Sequence, residues 1–310
     1  MKEAVDLSVI IPVILDVEAI ADVYRDYKKV LTATGKSFEV IYVVDGHRPQ
    51  ILEELRALKR DGEVLEILSF EQPQGEAAAL HVGFQKAVGR DVLTLSASHQ
   101  ILVDEIPKLL DALADTDMVI ASRMGALADG KPSQEGKLER VLRVLLGSSF
   151  RDIRCGVRAM RGSVAKEVTI YGNQQRFLPL IAQTQGFSVR EIEVRSDKSL
   201  AQLRSLMKID FSIMLDVMTI YFLIRFTKKP FRFFGGFGFG VLLIGALITA
   251  YLIFARLFLD VPLVDRPALI LSSLMIVLGI QIVSVGLIGE IIAFSFAKDQ
   301  KEYKVERIVE

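Results

Sequence analysis

Two long apolar runs near the carboxyl end constrain the fold of this chain more than any other feature of its sequence. Phe233–Ala255 and Pro267–Gly289 each hold about 23 residues without a charged side chain, more than the roughly 20 that a helix needs to cross a bilayer. Buried core helices of a soluble protein are the alternative. Because the two runs follow one another, we predict transmembrane helices at about 233–255 and 267–289, within a membrane domain over 233–297.

Charges around these runs predict their orientation. The short link between them carries Asp260 and Asp265, whereas basic residues flank the pair on both outer sides. Since Lys and Arg concentrate on the cytoplasmic side of membranes, we predict an integral membrane protein with both termini in the cytosol and a cytosolic tail over 298–310. In a bacterium the membrane would be the inner or plasma membrane. The basic residues are Arg225, Lys228, Lys229 and Arg232 before the runs, and Lys298, Lys301, Lys304 and Arg307 after them.

The segment before the runs, residues 208–232, is apolar but interrupted by Asp210, Asp216 and Arg225. This pattern predicts interfacial amphipathic helices whose cations meet lipid phosphates. Glycines are frequent in both runs, and small residues allow helices to pack closely in lipid. They fit packing within a helical hairpin or an interface of a homo-oligomer. These glycines are Gly235, Gly236, Gly238, Gly240, Gly279, Gly286 and Gly289.

The preceding residues, 1–207, have the composition of a cytosolic soluble domain. The whole chain has 38 basic and 38 acidic residues, so its formal net charge is zero. That balance provides no bulk attraction to nucleic acid, and no nucleic-acid partner is predicted. The single cysteine, Cys155, excludes an intrachain disulfide and a cysteine-rich metal cage.

Apolar, β-branched runs alternate with helical patterns along this domain. We predict strands over 7–12, 38–46, 64–70, 90–98 and 117–123, with helices over 16–34, 49–61, 76–89 and 104–114. The alternation indicates an α/β fold with a mostly parallel sheet and helices on both faces. Ligands of such sheets bind beyond the carboxyl ends of the strands. The Gly- and Pro-containing stretch 125–137 predicts a surface loop.

Five segments, read in order, resemble the family 2 glycosyltransferases of GT-A (Rossmann-like) fold. They are LSVIIPV, FEVIYVVDG, PQGEAAALHVGFQKAVGRDVLTL, RDIRCGVRAMRG and QQRFLPLIAQTQGFSVREIEV. The two-helix tail makes the chain similar to the membrane-anchored branch of dolichyl-phosphate mannose synthase and bactoprenol glucosyltransferases. The resemblance implies transfer of a sugar from a nucleotide-sugar donor to a polyprenyl-phosphate lipid on the cytosolic face.

The resemblance also implies a donor site, which departs here from the family pattern. The family's Asp-x-Asp motif, which holds Mg²⁺ or Mn²⁺, is replaced by Ser96-Ala97-Ser98. Hydroxyls are neutral and poor ligands for these hard cations, so the metal expected from the family lacks its ligands and no metal site is predicted. The residues implied for donor binding are Pro12, Asp16, Asp45, Gly46, Gly75, Ser96 and Ser98.

The acceptor side keeps more of the family's cations. Arg123, Arg158, Lys198 and Arg204 are implied as lipid-phosphate ligands, since guanidinium and ammonium groups bind phosphate. A structural ion pair is the alternative for each arginine. No catalytic base is identified, and the candidates for catalysis are His99, Arg158 and Arg176.

Two functions are compatible with a chain that keeps the family's cations but lacks its metal motif. The first is an active glycosyltransferase of the cell envelope with weakened or absent metal dependence. The second is an inactive relative, a pseudoenzyme that binds a lipid or a partner enzyme as a scaffold or regulatory subunit. A transport pathway is not indicated, because the two apolar runs contain no intramembrane ion pair.

Overall fold

A computed structural model of the 310-residue chain describes residues 5–17, 19–123, 150–153, 155–168, 174–196, 230–259 and 267–297. The chain divides into two compact units, one within residues 1–220 and one within 221–310. Several predictions lie outside the described residues. They are the surface loop 125–137, the interfacial helices up to residue 229, the tail 298–310, and the side chains of Lys198 and Arg204.

The first unit is built on a seven-stranded sheet in the order β3-β2-β1-β4-β6-β5-β7. Among the described strands, β6 alone is antiparallel to its neighbours, β4 and β5, and the other pairings are parallel. The strands are β1 Leu7–Val13, β2 Phe38–Val44, β3 Leu65–Ser69, β4 Asp91–Thr94, β5 Met118–Ser122, β6 Arg158–Arg161 and β7 Val189–Glu193. The predicted α/β class with a mostly parallel sheet is confirmed.

Among the described residues of this unit, six helices lie between the strands. They are α1 Ile20–Ala33, α2 Pro49–Arg60, α3 Glu76–Lys86, α4 Ile106–Ala112, α5 Gly162–Glu167 and α6 Leu178–Thr184. Short 3₁₀ turns flank α4 and precede α6, the latter over Gln174–Phe177. Strands β1 and β2 are almost wholly buried, because α1, α2 and α4 cover one face of the sheet and α3 covers the other.

Each of the five predicted strands differs from the observed one by at least one residue at an end, and two of these differences, at the carboxyl ends of β1 and β4, affect the candidate site. Strand β1 continues through Pro12 to Val13. Proline has no N–H to donate to a neighbouring strand. It is tolerated at this position because it lies past Thr94, the last residue of β4 that pairs with β1. The predicted strand 90–98 ends at Thr94, so Ser96 and Ser98 lie in the loop that follows.

The second unit is a hairpin of two long helices, α7 Pro230–Leu259 and α8 Pro267–Ala297. Both are long and apolar enough to cross a membrane, which confirms the predicted pair of apolar helices. Only 17% and 11% of their most apolar windows are buried. Most of their large side chains therefore face outward, unlike those of a soluble core helix.

Glycines hold the two helices of the hairpin close together. A Cβ added to Gly279 would stand 2.6 Å from the backbone nitrogen of Leu242, and one at Gly238 would stand 2.8 Å from that of Val283. Gly236 and Gly240 have open space around them. Packing within the hairpin thus accounts for Gly238 and Gly279, but not for every glycine of the runs.

Polar contacts also join the two helices of the hairpin. Glu290 of α8 accepts a hydrogen bond from the backbone N–H of Phe231 at 3.1 Å. The carboxylate thereby satisfies one of the N–H groups that have no partner within the first turn of α7. Farther along, the hydroxyls of Thr249 and Ser272 lie 2.9 Å apart.

Candidate active site

The carboxyl ends of β1, β2 and β4 meet the start of β6 at one edge of the sheet. Strand β6 begins at this edge because it runs antiparallel, and Arg158 stands opposite Thr94. Helix α3 also begins here, just after Gly75, whose φ of 90° suits glycine. Residues that are far apart in sequence therefore share one edge.

Asp45, implied as a donor-binding residue, is buried at the end of β2. Its carboxylate accepts hydrogen bonds from the backbone N–H groups of Gln74 and Gly75, at 2.6 and 3.1 Å. Gly46 adopts a φ of 78°, and an added Cβ would stand 3.0 Å from Pro73. Asp45 and Gly46 therefore fix the loop that leads into α3.

Arg48 is a residue of this edge that the sequence analysis missed. Its Nε donates to the carbonyl of Asp45 at 3.0 Å, and its Nη1 donates to Oδ1 of Asp16 at 2.7 Å. A third bond goes from Nη2 to the carbonyl of Ile14. The guanidinium thus ties the ends of β1 and β2 together, and it forms an ion pair with the exposed carboxylate of Asp16. An arginine within a turn gives no sequence signal for such a role.

Ser96 and Ser98 occupy the position of the family's metal motif. Their hydroxyl oxygens lie 3.5 Å apart. The phenol of Tyr27, on α1, donates to the carbonyl of Ser96 at 3.1 Å. Burial raises the pKa of Tyr27, so its proton is retained for this bond. The loop is held in place from the α1 side through its backbone.

His99 and Gln100 complete this loop and face different neighbours. His99 packs edge-on against Tyr27, with ring centroids 5.4 Å apart, and its Nε2 lies 3.4 Å from Oδ2 of Asp26. Gln100 accepts a hydrogen bond from the backbone N–H of Gly156 at 2.9 Å. His99, a predicted catalytic candidate, therefore contacts α1, while Gln100 joins the loop to the segment before β6.

The residues at the metal position do not fit a divalent cation. Among the residues that the structure describes, no group of three or more His, Cys, Asp or Glu side chains could hold a metal ion. The buried carboxylate of Asp45 already accepts two backbone N–H groups. Two serine hydroxyls cannot replace the charged oxygen ligands that Mg²⁺ or Mn²⁺ requires.

Arg123, implied as a lipid-phosphate ligand, forms a buried ion pair with Asp152. Its Nε and Nη2 donate to the two carboxylate oxygens at 2.7 and 2.9 Å. The backbone N–H of Arg123 donates to the same carboxylate at 3.1 Å. The two side chains are 9% and 0% exposed. This pairing fixes the end of β5 to the segment before β6, which is the structural alternative raised for the arginines.

Arg158 differs from Arg123 in its surroundings. The residue is 2% exposed, and its Nε has no hydrogen-bond partner among the described residues. Burial lowers the pKa of the guanidinium, while the negative charge of Glu76, at the start of α3, opposes that shift. Arg176 is only partly buried, in the 3₁₀ turn before α6.

Glu76 and Gln175 are further residues that the sequence analysis did not bring together. Gln175 is 6% exposed, and its Nε2 donates to Oε2 of Glu76 at 3.1 Å. Its Oε1 has no partner within the described part of the chain. We call Glu76, Arg158 and Gln175 the polar cluster. No local pattern could reveal a contact between residues 99 positions apart.

The structure therefore gathers Asp16, Asp45, Gly46 and Gly75 around the ends of β1 and β2. Ser96 and Ser98 follow β4, and Arg158, at the start of β6, stands opposite Thr94, the last residue of β4. This is the strand-end location that the parallel sheet predicts for a ligand.

Comparison with known proteins assigns the family. The model of glycosyl transferase family 2 matches residues 8–167, which is more than half of the chain. The chain belongs to glycosyl transferase family 2. The matched residues run from the second residue of β1 through β6, and the family assignment confirms the resemblance seen in the sequence.

Two bacterial relatives in this family are similar over nearly the whole chain. Dodecaprenyl-phosphate galacturonate synthase of Rhizobium johnstonii is 23% identical, covering 96% of this chain and 90% of the relative. Undecaprenyl-phosphate 4-deoxy-4-formamido-L-arabinose transferase of Pseudomonas aeruginosa is 26% identical, covering 98% and 90%. Both alignments are long enough to include the hairpin.

A solved structure of another protein has the same fold. Glucosyl-3-phosphoglycerate synthase from Mycobacterium tuberculosis, in complex with uridine diphosphate, superimposes with a TM-score of 0.50 at 14% identity. The superposition covers 72% of this chain and 81% of that one. Other structures of that enzyme contain Mn²⁺ or Mg²⁺.

Proposed function

We propose that this family 2 glycosyltransferase transfers a sugar from a nucleotide-sugar donor to a polyprenyl phosphate at the cytosolic surface of a membrane. The observation that carries the proposal is the similarity, over 96% and 98% of the chain, to two transferases named for polyprenyl-phosphate products or acceptors. Because that similarity extends through α7 and α8, it supports the same lipid chemistry as well as the same fold.

The proposed acceptor explains why a membrane anchor belongs to the enzyme. A polyprenyl phosphate keeps its chain in the bilayer and presents its phosphate at the surface, where α7 and α8 would hold the catalytic unit. The phosphate is already an anionic nucleophile and needs little general-base help. We propose Arg176, Lys198 and Arg204 as the cations that receive it, and the partly buried Arg176 lies at the carboxyl edge.

The donor would bind across the ends of β1, β2 and β4, as ligands of parallel sheets do. Arg48 and Asp45 hold the walls of this cleft in place through the contacts described above. We further propose that transfer has weak or no dependence on a divalent cation, since Ser96 and Ser98 provide no carboxylate. Charge on the leaving diphosphate would then be balanced by arginine and lysine side chains.

A transfer assay tests this proposal. The full-length chain in lipid nanodiscs is incubated with undecaprenyl phosphate and a panel of radiolabelled nucleotide sugars, with Mn²⁺ or with EDTA. We expect lipid-linked sugar from at least one donor, at rates that differ by less than about threefold between the two conditions. Replacing Lys198 and Arg204 together with alanine should lower the rate about a hundredfold or more, if each of the two phosphate contacts is worth about 1.5–3 kcal/mol. If no nucleotide sugar gives a lipid-linked product, the proposed transfer is refuted. If EDTA abolishes transfer, the proposed metal independence is refuted.

An inactive relative is the second candidate, and the absence of both motif carboxylates favours it. In that case the chain would bind a polyprenyl phosphate or a partner enzyme without turnover. Binding of undecaprenyl phosphate with no transfer from any donor would support it, whereas measurable turnover would exclude it.

The proposed topology has both termini in the cytosol. Single cysteines placed at Lys301 and at Asp265, in a chain with Cys155 replaced by serine, test it by labelling with a membrane-impermeant maleimide. In right-side-out vesicles only the cysteine at position 265 should react. Labelling of position 301 in sealed right-side-out vesicles would contradict the proposed topology.

A further inference from the structure

Two buried atoms of the polar cluster have no hydrogen-bond partner among the described residues. They are Nε of Arg158, a donor, and Oε1 of Gln175, an acceptor. The residues are 2% and 6% exposed. A buried polar group without a partner costs about 1–3 kcal/mol, so this pair is an expensive feature unless another molecule satisfies it.

The chemistry of the cluster fixes which atoms are open. The Glu76 carboxylate can only accept hydrogen bonds, so the amide of Gln175 must turn its nitrogen toward it, as observed at 3.1 Å. The amide oxygen of Gln175 therefore points away from the Glu76 carboxylate. The open acceptor of Gln175 is a consequence of its bond to Glu76 and does not depend on an arbitrary choice between nitrogen and oxygen.

The charge of the cluster selects against a phosphate. Arg158 carries one positive charge, Glu76 carries one negative charge and Gln175 is neutral, so the three side chains have no net charge. A phosphate or diphosphate is anionic and rich in acceptors, and it would face both the carboxylate and the open amide oxygen. A hydroxyl is neutral and combines one donor with acceptor lone pairs, which complements one open N–H and one open oxygen.

We propose that the polar cluster is a subsite for one hydroxyl of the donor sugar. The hydroxyl accepts a hydrogen bond from Nε–H of Arg158 and donates one to Oε1 of Gln175, while Glu76 acts as a positioning residue for Gln175 through their hydrogen bond. The proposal rests on the proposed function and deepens it by naming the substrate group that the cluster reads. It also assigns Arg158 to the sugar instead of the lipid phosphate implied by the resemblance.

The location of the cluster agrees with this assignment. Arg158 stands opposite the last residue of β4, two residues before Ser96. Glu76 immediately follows Gly75, which is bonded to Asp45. The cluster therefore shares the carboxyl edge with the proposed nucleotide cleft, at the β4–β6 end where a sugar joined to the diphosphate can extend.

Binding measurements test the subsite without requiring turnover. Affinities of the full-length chain in nanodiscs are measured by calorimetry for UDP, GDP, UDP-glucose, UDP-galactose and GDP-mannose, and for single-deoxy analogues of the tightest donor. For the native chain, one deoxy analogue should bind at least about tenfold more weakly than its parent, because sites built around a hydroxyl reject analogues that lack it.

Substitutions then assign that loss to the cluster. Gln175→Met should weaken the tightest nucleotide sugar at least about tenfold, leave its nucleoside diphosphate within about twofold, and leave the critical deoxy analogue unchanged. Glu76→Gln removes the negative charge and should raise the affinity for the nucleoside diphosphate alone. Gln183→Met, at an exposed position of α6, is the matched control and should change none of these values.

Three results of these binding measurements would refute the proposed subsite. These outcomes are equal losses for nucleotide sugar and nucleoside diphosphate, equal tolerance of every deoxy analogue by the native chain, or no binding of any nucleotide sugar. A buried water held by the same two atoms would produce the second outcome. Sugar-dependent binding with no transfer to undecaprenyl phosphate would instead refute the proposed function and leave the subsite standing.

Discussion

The polar groups at the ends of β1, β2 and β5 differ from those at the start of β6 in how they are paired. Asp45, Arg48 and Arg123 make their hydrogen bonds to neighbouring backbone and side-chain atoms. In the polar cluster, Arg158 and Gln175 each have an atom with no partner in the described part of the chain. Asp45 and Arg123 are about as buried as Arg158 and Gln175, so the contrast does not arise from a difference in burial.

This contrast separates residues that stabilise the carboxyl edge of the sheet from residues that can bind a ligand. Charged residues alone would have made Asp45, Arg123 and Arg158 equally good candidates for binding. The pairing of their atoms distinguishes them, because a group already satisfied within the fold gains little from a ligand. Substitutions should therefore affect stability in the first region and binding in the second.

The largest expected effect is in the buried pair of Arg123 and Asp152. Asp152→Ala leaves the Arg123 guanidinium buried without its carboxylate, and should lower the free energy of unfolding by about 3–5 kcal/mol. Urea unfolding of the chain in detergent, followed by circular dichroism, measures this. Arg151→Ala is the control, because its ion pair with Glu193 is more than half exposed on both sides and is worth about 0–1 kcal/mol. Equal effects of the two substitutions would contradict the distinction.

A smaller effect is expected at Asp45. Asp45→Asn replaces one of two acceptor oxygens with a donor that faces a backbone N–H, and should cost about 1–3 kcal/mol of unfolding free energy. Thermal unfolding with the exposed substitution Asp61→Asn as reference measures it. A fully stable Asp45→Asn chain that has lost nucleotide binding would instead make Asp45 a ligand-reading residue.

Restoring carboxylates tests whether the cleft retains the geometry of a metal site. Ser96→Asp with Ser98→Asp should strengthen Mn²⁺ binding by about tenfold or more over the native chain, because hard cations prefer charged oxygen ligands. Electron paramagnetic resonance of bound Mn²⁺ measures it, with Ser96→Asn and Ser98→Asn as the neutral control. Unchanged affinity would show that the loop after β4 has moved away from that geometry.

At the polar cluster, the expected effect on stability is small. Gln175→Met removes one hydrogen bond and, with it, an unpartnered buried acceptor, so the free energy of unfolding should change by less than about 1 kcal/mol. The same unfolding assay measures it. A loss as large as that of Asp152→Ala would place Gln175 among the residues that build the edge.

The smallest effect is expected at Cys155, which is buried beside Gln100. Burial raises the pKa of its thiol, although the nearby Arg123 opposes the shift. Reaction with iodoacetamide requires the thiolate, so the native chain should stay unmodified at pH 8 while the unfolded chain reacts. Mass spectrometry of the labelled chain measures this. Rapid native labelling would indicate that the segment before β6 opens readily.

The fold was predictable because its signals are local. The β-branched runs of β1 and β2 and the two long apolar runs near the carboxyl end mark their elements without any knowledge of distant residues. Strand β6 was not assigned, since four residues with arginine at each end show no apolar alternation. The position of β6 between β4 and β5 depends on pairing across the sheet, which a single sequence does not reveal.

The candidate site was predictable only in part, for a related reason. The strand ends and the missing motif carboxylates could be identified from the sequence. The partners of Asp45, Arg123 and Gln175 could not, because their contacts join residues 29 or more positions apart. Sequence reasoning therefore located the edge of the sheet but could not separate its structural groups from its open ones.

The antiparallel strand β6 has a consequence for the way this chain folds during synthesis. Strands β1 to β4 are adjacent in the sheet and complete by residue 94, so they can assemble as soon as they leave the ribosome. Within the described sheet, the partners of β5 are β6 and β7, so β5 must wait until residues 158–161 are available to join it to the rest. Folding of the last three strands is thus delayed relative to the first four, and the unpaired edge of β4 is exposed to misassociation during that interval.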